Sequence, residues 1–305
     1  MSVLWRRMLL HGAGAALLAP AVCAGDAFVV VLASSGAPAY REAVAGFRAT
    51  AGAGVVRAVF EMGEGDGAVM DRVQAFRPRL IVAMGSLATA AVTGLDVPVL
   101  SAMVMESDAV EASGPGQPKR IVLRIPLDVP PRLALTRLKG LFPDRRRIAV
   151  IWGPAGNRRP RSEIAAEAAQ LGLALKFVEC RHPREMLEAI PALAGAADLV
   201  WCLPDRVLYQ PAPVQALILS SIRARLPLVG FSASFVKAGA LAGFQADYWQ
   251  IGAQTAESAL RLLEGTPLKA REDPRTVRTY INERAVRIFG AAWRQPPGEE
   301  TVLVR

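Results

Sequence analysis

The sequence predicts an α/β protein of two lobes, each an open parallel sheet flanked by helices, and three observations predict it. Short apolar runs rich in branched residues alternate with segments of helical period. The alternation occurs twice along the chain, as two separate sheets require. The length of 305 residues, with 21% charged, suits two globular domains of roughly 100–200 residues each.

The first lobe opens with "FVVVLA" (28–33), continuous and apolar as a strand covered on both faces should be. Pro38 starts a helix whose Tyr40, Ala43, Val44 and Phe47 share one face. A strand "VVRAVFE" (55–61) follows, then a helix near Gly67 to Phe76 with Val69, Val73 and Phe76 inward. "LIVAMG" (80–85) is a strand, Ser86 is placed to cap a short helix, and "VPVLSAMV" (97–104) is the next strand.

The second lobe repeats this plan. "RIAVIWG" (147–153), "LALKFVE" (173–179), "ADLVWCLP" (197–204) and "LPLVGF" (226–231) are its strands. Helices lie between them, one carrying Ile164, Ala168 and Leu171 inward, one carrying Met186, Leu187, Ile190 and Leu193, and one running from Val214 to Leu226. "FVKAGALAGF" (235–244) then carries the chain back between the lobes, Gly239 allowing the turn and Lys237 standing on a solvated rim. Asp247 caps a helix with Tyr248, Ile251, Thr255, Ala259 and Leu262 on one face, and "GTP" (265–267) stops it. "RTYIN" (278–282) is a short strand and "ERAVRIFG" (283–290) a last amphipathic turn. The expected division is residues 26–124 plus 240–266 in the first lobe, 125–239 plus 267–290 in the second, and 291–305 as a tail.

Residues 1–24 form a secretory leader: Arg6 and Arg7, the apolar run "MLLHGAGAALLAPA", and small residues at Val22 and Ala24 around the cut. Export by the general or the twin-arginine route takes the mature chain out of the cytoplasm. Val22 makes a poor lead-in to a lipid-modified Cys23. Cleavage removes two arginines and lowers the formal charge from +9 to +7. Basic runs such as "DRRRIAV" read as solvated faces, and export argues against a nucleic-acid partner. Past the leader no apolar run approaches the roughly 20 residues of a membrane span.

Cys180 and Cys202 remain after cleavage. In the flavodoxin-like order the strand at 148–152 lies between theirs. Two strand spacings of about 4.8 Å exceed disulfide reach, so two free buried thiols are expected.

Ligands of open parallel sheets bind beyond the carboxyl ends of the strands. There stand Ser34, Ser35, Gly36, Gly85, Ser86, Asn157, Pro204, Asp205, Ser232 and Ser234, a small and mostly uncharged polar set with one carboxylate. Each serine serves equally as a helix cap, and Asp205 equally as a turn residue beside Pro204. Enzymatic constellations are missing. The histidines are His11 in the leader and His182 in a loop, and there is neither a "GxSxG" elbow nor a Cys-x-x-Cys pair. "MGEGDGAVM" (62–70) lacks the Lys-Ser/Thr of a phosphate loop and reads as a surface turn. No cofactor, metal or catalytic residue is expected.

The succession "LASSGAPAYREAVAGF", "RPRLIVAMGSLATAA", "LKGLFPDRRRIAVIWGP", "AADLVWCLPD", "LPLVGFSASFVKAGAL", "DYWQIGAQTAESALRLLEG" and "INERAVRIFG" resembles the substrate-binding proteins of a group of bacterial ABC importers. Tryptophan-binding lipoproteins are among its relatives. The resemblance runs in order from Val29 to Gly290. It implies a two-lobed type I periplasmic binding protein fold with several hinge crossings, a monomer, closing on a small ligand for a permease and an ATPase in the inner membrane. It places Ser34, Ser35, Gly85, Ser86, Asp205 and Ser232 at the cleft, Ser86 toward a ligand carboxylate and Asp205 toward an amine, with Tyr40 and Phe235 available for stacking. "GQPKRIVLRIP" (116–126) departs from the family pattern, which carries Thr-Gly-Val before the first crossing. A ligand sensor signalling to a membrane partner is the alternative function.

Overall fold

The computed structural model describes residues 28–63, 67–108, 120–153, 159–296, 298 and 300–305. The leader, Asn157 and residues 116–119 of the divergent segment lie outside these described residues.

Residues 29–126 form the first sheet. Its elements are β1 (Val29–Ala33), α1 (Pro38–Ala51), β2 (Val56–Glu61), α2 (Gly67–Ala75), β3 (Leu80–Met84), α3 (Ser86–Val92), β4 (Val99–Val104) and β5 (Ile121–Pro126). The strand order is β2-β1-β3-β4-β5, every pairing parallel. In β1, Val29 and Val31 pack into one core and Val30 and Leu32 into the other. A strand that alternates between two dry faces has no use for a polar residue, which is why its sequence is unbroken.

The second sheet contains β6 (Arg147–Trp152), β7 (Ala174–Glu179), β8 (Leu199–Cys202), β9 (Leu228–Gly230), β10 (Ala242–Ala246), β11 (Val277–Asn282) and β12 (Thr301–Val304), in the order β12-β11-β10-β9-β8-β6-β7. Among these strands β10 and β11 pair antiparallel and the other neighbours pair parallel. Its helices are α4 (Pro131–Leu141), α5 (Arg161–Gln170), α6 (Pro183–Leu193), α7 (Pro211–Arg223), α8 (Ala233–Ala238) and α10 (Glu283–Phe289). The remaining helix, α9 (Tyr248–Leu263), belongs to the first lobe. Its Ile251, Ala256 and Ala259 enter the core under α1 and β4. The two helices α1 and α9 touch backbone to backbone. A Cβ on Gly252 would stand 1.9 Å from the Ala43 carbonyl oxygen, and one on Gly46 2.0 Å from that of Trp249.

Several expectations are corrected. "FVKAGALAGF" does not return the chain to the first lobe. Ser232 caps α8, its hydroxyl accepting from Phe235 N at 3.2 Å, and the chain then adds β10 beside β9. Residues 240–246 therefore belong to the second sheet. The crossing falls at Asp247, whose carboxylate accepts from Gln250 N at 3.1 Å and caps α9 as expected. The segment 291–305 is more than a tail, because Thr301–Val304 extends the sheet as β12. Both β5 and α4 went unread in the sequence. Helix α7 ends at Arg223, before Arg225 turns at φ 51°. Phe76, expected inward, is 37% exposed at the rim of Phe60.

The strand order places β6 between β7 and β8, and Cys180 and Cys202 are buried and unpaired. Burial pushes the Cys180 thiol up to about 11 and the Cys202 thiol up to about 12. The basic run at 145–147 is gathered on one residue: Arg147 pairs with the Asp198 carboxylate at 2.7 Å, the Arg146 amide donates to the same carboxylate at 3.0 Å, and the Arg145 guanidinium donates to the Asp198 carbonyl at 2.7 Å.

Three crossings join the lobes, at Leu127–Pro130, at Asp247, and along 264–276. They lie side by side. Arg124 N donates to Ala270 O at 3.0 Å, Glu272 N to Arg124 O at 3.0 Å, and Asp247 N to Thr276 O at 3.0 Å. Arg278 on β11 holds Asp247 at 2.8 Å and Glu42 of α1 at 2.9 Å.

Candidate functional site: the cleft between the lobes

The carboxyl ends of both sheets contribute to the space between the lobes. In the first lobe, Ser34 leaves β1 buried, its hydroxyl accepting from Ala88 N on α3 at 3.0 Å. The Tyr40 hydroxyl bonds to Ser34, and burial raises this phenol's pKa, with the Asp108 charge adding to the rise. Gly85 is what lets these groups meet. A Cβ there would lie 2.4 Å from Ser34 Oγ and 2.6 Å from Tyr40 Oη, and the residue turns at φ 97° where only glycine is unstrained. Gly85, not Ser86, is the N-cap of α3, so Ser86 is the first residue of the helix and its expected capping role is corrected. Ser35 Oγ accepts from Ala37 N at 3.3 Å in the turn before α1. Ser34, Tyr40 and Gly85 are thus brought into contact, with Ser35 and Ser86 flanking them.

In the second lobe, Asp205 follows β8 and is 5% exposed. Its Oδ1 accepts from Val207 N at 2.8 Å and Leu208 N at 3.0 Å, the turn that its neighbour Pro204 suggested. Its Oδ2 is buried with no hydrogen-bond partner. A Cβ on Gly153, at the end of β6, would stand 2.0 Å from that oxygen, so the carboxylate fits only against a glycine. Ser232 is a helix cap, Ser234 is exposed on α8, and Phe235 is buried. The Phe235 ring packs on Tyr209 at 5.6 Å and Phe231 at 5.3 Å, leaving Phe231 half-buried beside Asp128 and Pro204.

A cavity of about 370 Å³ lies between the lobes, its lining including Glu106, Asp128, Arg159, Glu163, Pro204 and Arg271. The sequence reading named none of these but Pro204. Asp128 and Arg271 sit on the crossings, Glu106 follows β4, and Arg159 and Glu163 lie by the start of α5. Asp128 accepts from Glu106 N at 2.7 Å, and Arg271 holds Glu106 and Asp273 at 2.8 Å each. Burial raises the Asp128 carboxyl to about 6, the Glu106 amide opposing; the Glu106 charge adds to the rise and Arg271 counters it. The missing signal was β5: with that strand recognised, Asp128 falls at a strand end like the rest. A second pairing crosses the cleft, Arg206 Nε to Asp108 Oδ1 at 2.8 Å.

Two parallel-sheet lobes, adjacent crossings and strand ends facing a shared cleft define the fold of type I periplasmic binding proteins. A sequence profile described as ABC transporter substrate binding protein matches residues 66–288, and the chain belongs to that family. Similar solved structures include the ligand-free, open substrate binding protein with adhesive properties from Clostridium difficile, at 16% identity and TM-score 0.67, covering 92% of this chain and 99% of that one. A Streptococcus pneumoniae ABC domain in complex with L-Trp gives 16% identity and TM-score 0.60, covering 92% and 100%. A periplasmic ribose ABC transporter protein from Conexibacter woesei gives 17% and 0.54, covering 88% and 96%. At these identities the structures share the fold. No curated protein matches the sequence. Family and fold are those of binding proteins. Among the described residues no helix is long and apolar enough to cross a membrane.

Proposed function

We propose that this protein is the periplasmic solute-binding component of an ABC importer, exported by the leader at 1–24, which closes as a monomer on an amino acid and presents it to a permease driven by an ATPase. The observation that carries the ligand class is Asp205. A carboxylate oxygen that is buried without a partner is costly to keep, and an ammonium group is its natural complement. Ser34, Tyr40 and the amino end of α3 at Ser86 supply hydroxyls and amides from the opposite lobe, suited to a ligand carboxylate. Phe231, half-buried beside Asp128, takes the stacking role assigned from sequence to Phe235. The structure solved with L-Trp makes an amino acid the first ligand to try.

Mechanism follows from the crossings. Rotation about them lets one ligand bond to both lobes at once and excludes water, and a ligand that binds only the closed form shifts the population toward it. The test is a thermal-shift screen of the chain lacking residues 1–24 against amino acids, sugars, nucleosides and small carboxylates. An amino acid should raise the melting temperature, and Asp205→Ala should weaken that ligand by about 2–5 kcal/mol. A shift with a sugar alone, or an unchanged affinity in Asp205→Ala, overturns the ligand class.

A further inference from the structure

Among the described residues, two sets of ion pairs tie the second sheet and its loops to the first lobe, and they differ in where they sit. Arg278 reaches Glu42 of α1, but it also holds Asp247, which is itself a crossing. Rotation about the crossings leaves that set nearly in place. Arg206 and Asp108 join two strand-end loops, one after β8 and one after β4, which the same rotation draws apart.

Both partners are positioned by the groups already described at the cleft. Asp205 accepts from the amides of Val207 and Leu208, and this turn fixes the backbone from which Arg206 projects. Asp108 ends the short turn Glu106–Asp108, close enough to Tyr40 for its charge to act on the phenol. The Asp108 side chain is only 17% exposed and the Arg206 side chain 64%. A guanidinium from solvent thus reaches across to a carboxylate that is mostly buried, where screening is weaker than between two exposed groups.

We propose that Arg206 and Asp108 form a latch across the cleft that biases the lobes toward closure and slows ligand release. The effect on release rests on the solute-binding reading, whereas the effect on lobe separation does not. Arg206 and Asp108 act here as positioning residues, holding the lobes rather than touching the ligand. Because one partner is largely exposed, the pair changes the dissociation rate by roughly 2–5-fold, the range of exposed ion pairs, with little change in association.

The test separates the latch from the reading beneath it. Spin labels on Ala49→Cys and Arg223→Cys, exposed positions on α1 and α7, report the distance between the lobes without any ligand. Asp108→Asn and Arg206→Gln should each lengthen that distance, as should 1 M NaCl on the otherwise unaltered protein. The exchanged pair Asp108→Arg with Arg206→Asp should restore it. Once the screen has identified a ligand, each single variant should release it roughly 2–5-fold faster, and the exchange should slow it again. Wild-type distances in both single variants overturn the latch whatever the screen finds. So does a faster release that the exchange fails to correct, since that assigns the residues to the ligand itself. A screen without any ligand defeats the solute-binding reading and leaves the distance measurement to decide the latch. Arg206→Gln carries the test alone if Asp108→Asn does not fold.

Discussion

Gly153→Ala is the substitution whose consequence the structure specifies most closely. The added Cβ would stand 2.0 Å from Asp205 Oδ2, 2.7 Å from its Cγ and 3.0 Å from Leu208 Cδ1. Ordinary contact needs at least about 3.4 Å, so the carboxylate must retreat by more than an ångström, and Leu208 blocks one way out. Retreat takes Oδ1 away from the amides of Val207 and Leu208, which it holds at 2.8 and 3.0 Å. Hydrogen bonds to a charged group contribute about 1.5–3 kcal/mol each, and losing one while partly keeping the other makes about 2 kcal/mol the expected loss of stability. For a chain of this size that lowers the melting temperature by about 3–4 °C. Urea denaturation of the ligand-free chain measures it, with Asp205→Asn and the double variant completing a cycle. If Gly153 acts through Asp205, the double variant is less destabilised than the sum of the singles. Strict additivity, or a Gly153→Ala protein as stable as wild type, would refute the reasoning.

Three further expectations concern other parts of the molecule. The Asp128 carboxyl is raised to about 6, so between about pH 4 and pH 6 the folded state binds more protons than the unfolded one, and its contribution to stability is lost as pH rises. Asp128→Asn should flatten the stability profile across that window and raise stability above pH 6, by about 3 kcal/mol at most; an unchanged profile counts against it. Gly252→Ala forces α9 off α1 and should cost about 3 kcal/mol or more, an overpacking effect that a melting temperature near that of wild type would contradict. In the chain lacking residues 1–24, a thiol reagent should find two groups in the unreduced denatured protein and react with neither quickly in the native one; zero groups after denaturation would mean that Cys180 and Cys202 are bonded.

The alternation of strands and helices was legible because burial on both faces leaves a strand no polar residue. That held for β1 and β3, whose runs are unbroken, while β4 admits Ser101 because its buried hydroxyl pairs with that of Thr89 at 2.9 Å. It failed at β5, where "IVLRIP" carries Arg124, since an edge strand keeps one side near solvent and loses the continuous signal. Only three residues of β9 pair in the sheet, so "LPLVGF" and the α8–β10 stretch together looked like one element and a crossing. The positions of Ser34, Gly85 and Asp205 followed from the rule of strand ends. Why Gly85 and Gly153 are glycine did not follow, because the groups they accommodate lie far along the chain or across a turn, and spacing in sequence says nothing of a 2 Å approach. Arg206, Asp108 and Asp128 were hidden for a related reason: each looks like a solvated loop charge until the opposite element is placed against it.

The helix α9 closes the core of the first lobe from 122 residues beyond the last strand of that lobe, Ile121–Pro126 ending long before Tyr248 begins. A chain emerging in order from its amino end would have the whole of the first sheet in hand while the face that receives Ile251, Ala256 and Ala259 stayed bare. The second lobe meets no such delay until β11 and β12. The amino-terminal lobe, begun first, is therefore finished only after the second sheet's strands through β10 have emerged, and a fragment stopping before residue 248 should leave the first sheet with an apolar face bare. Anyone cutting this protein into halves for separate study would need to keep residues 248–263 with the first half, supplied as a second piece of chain.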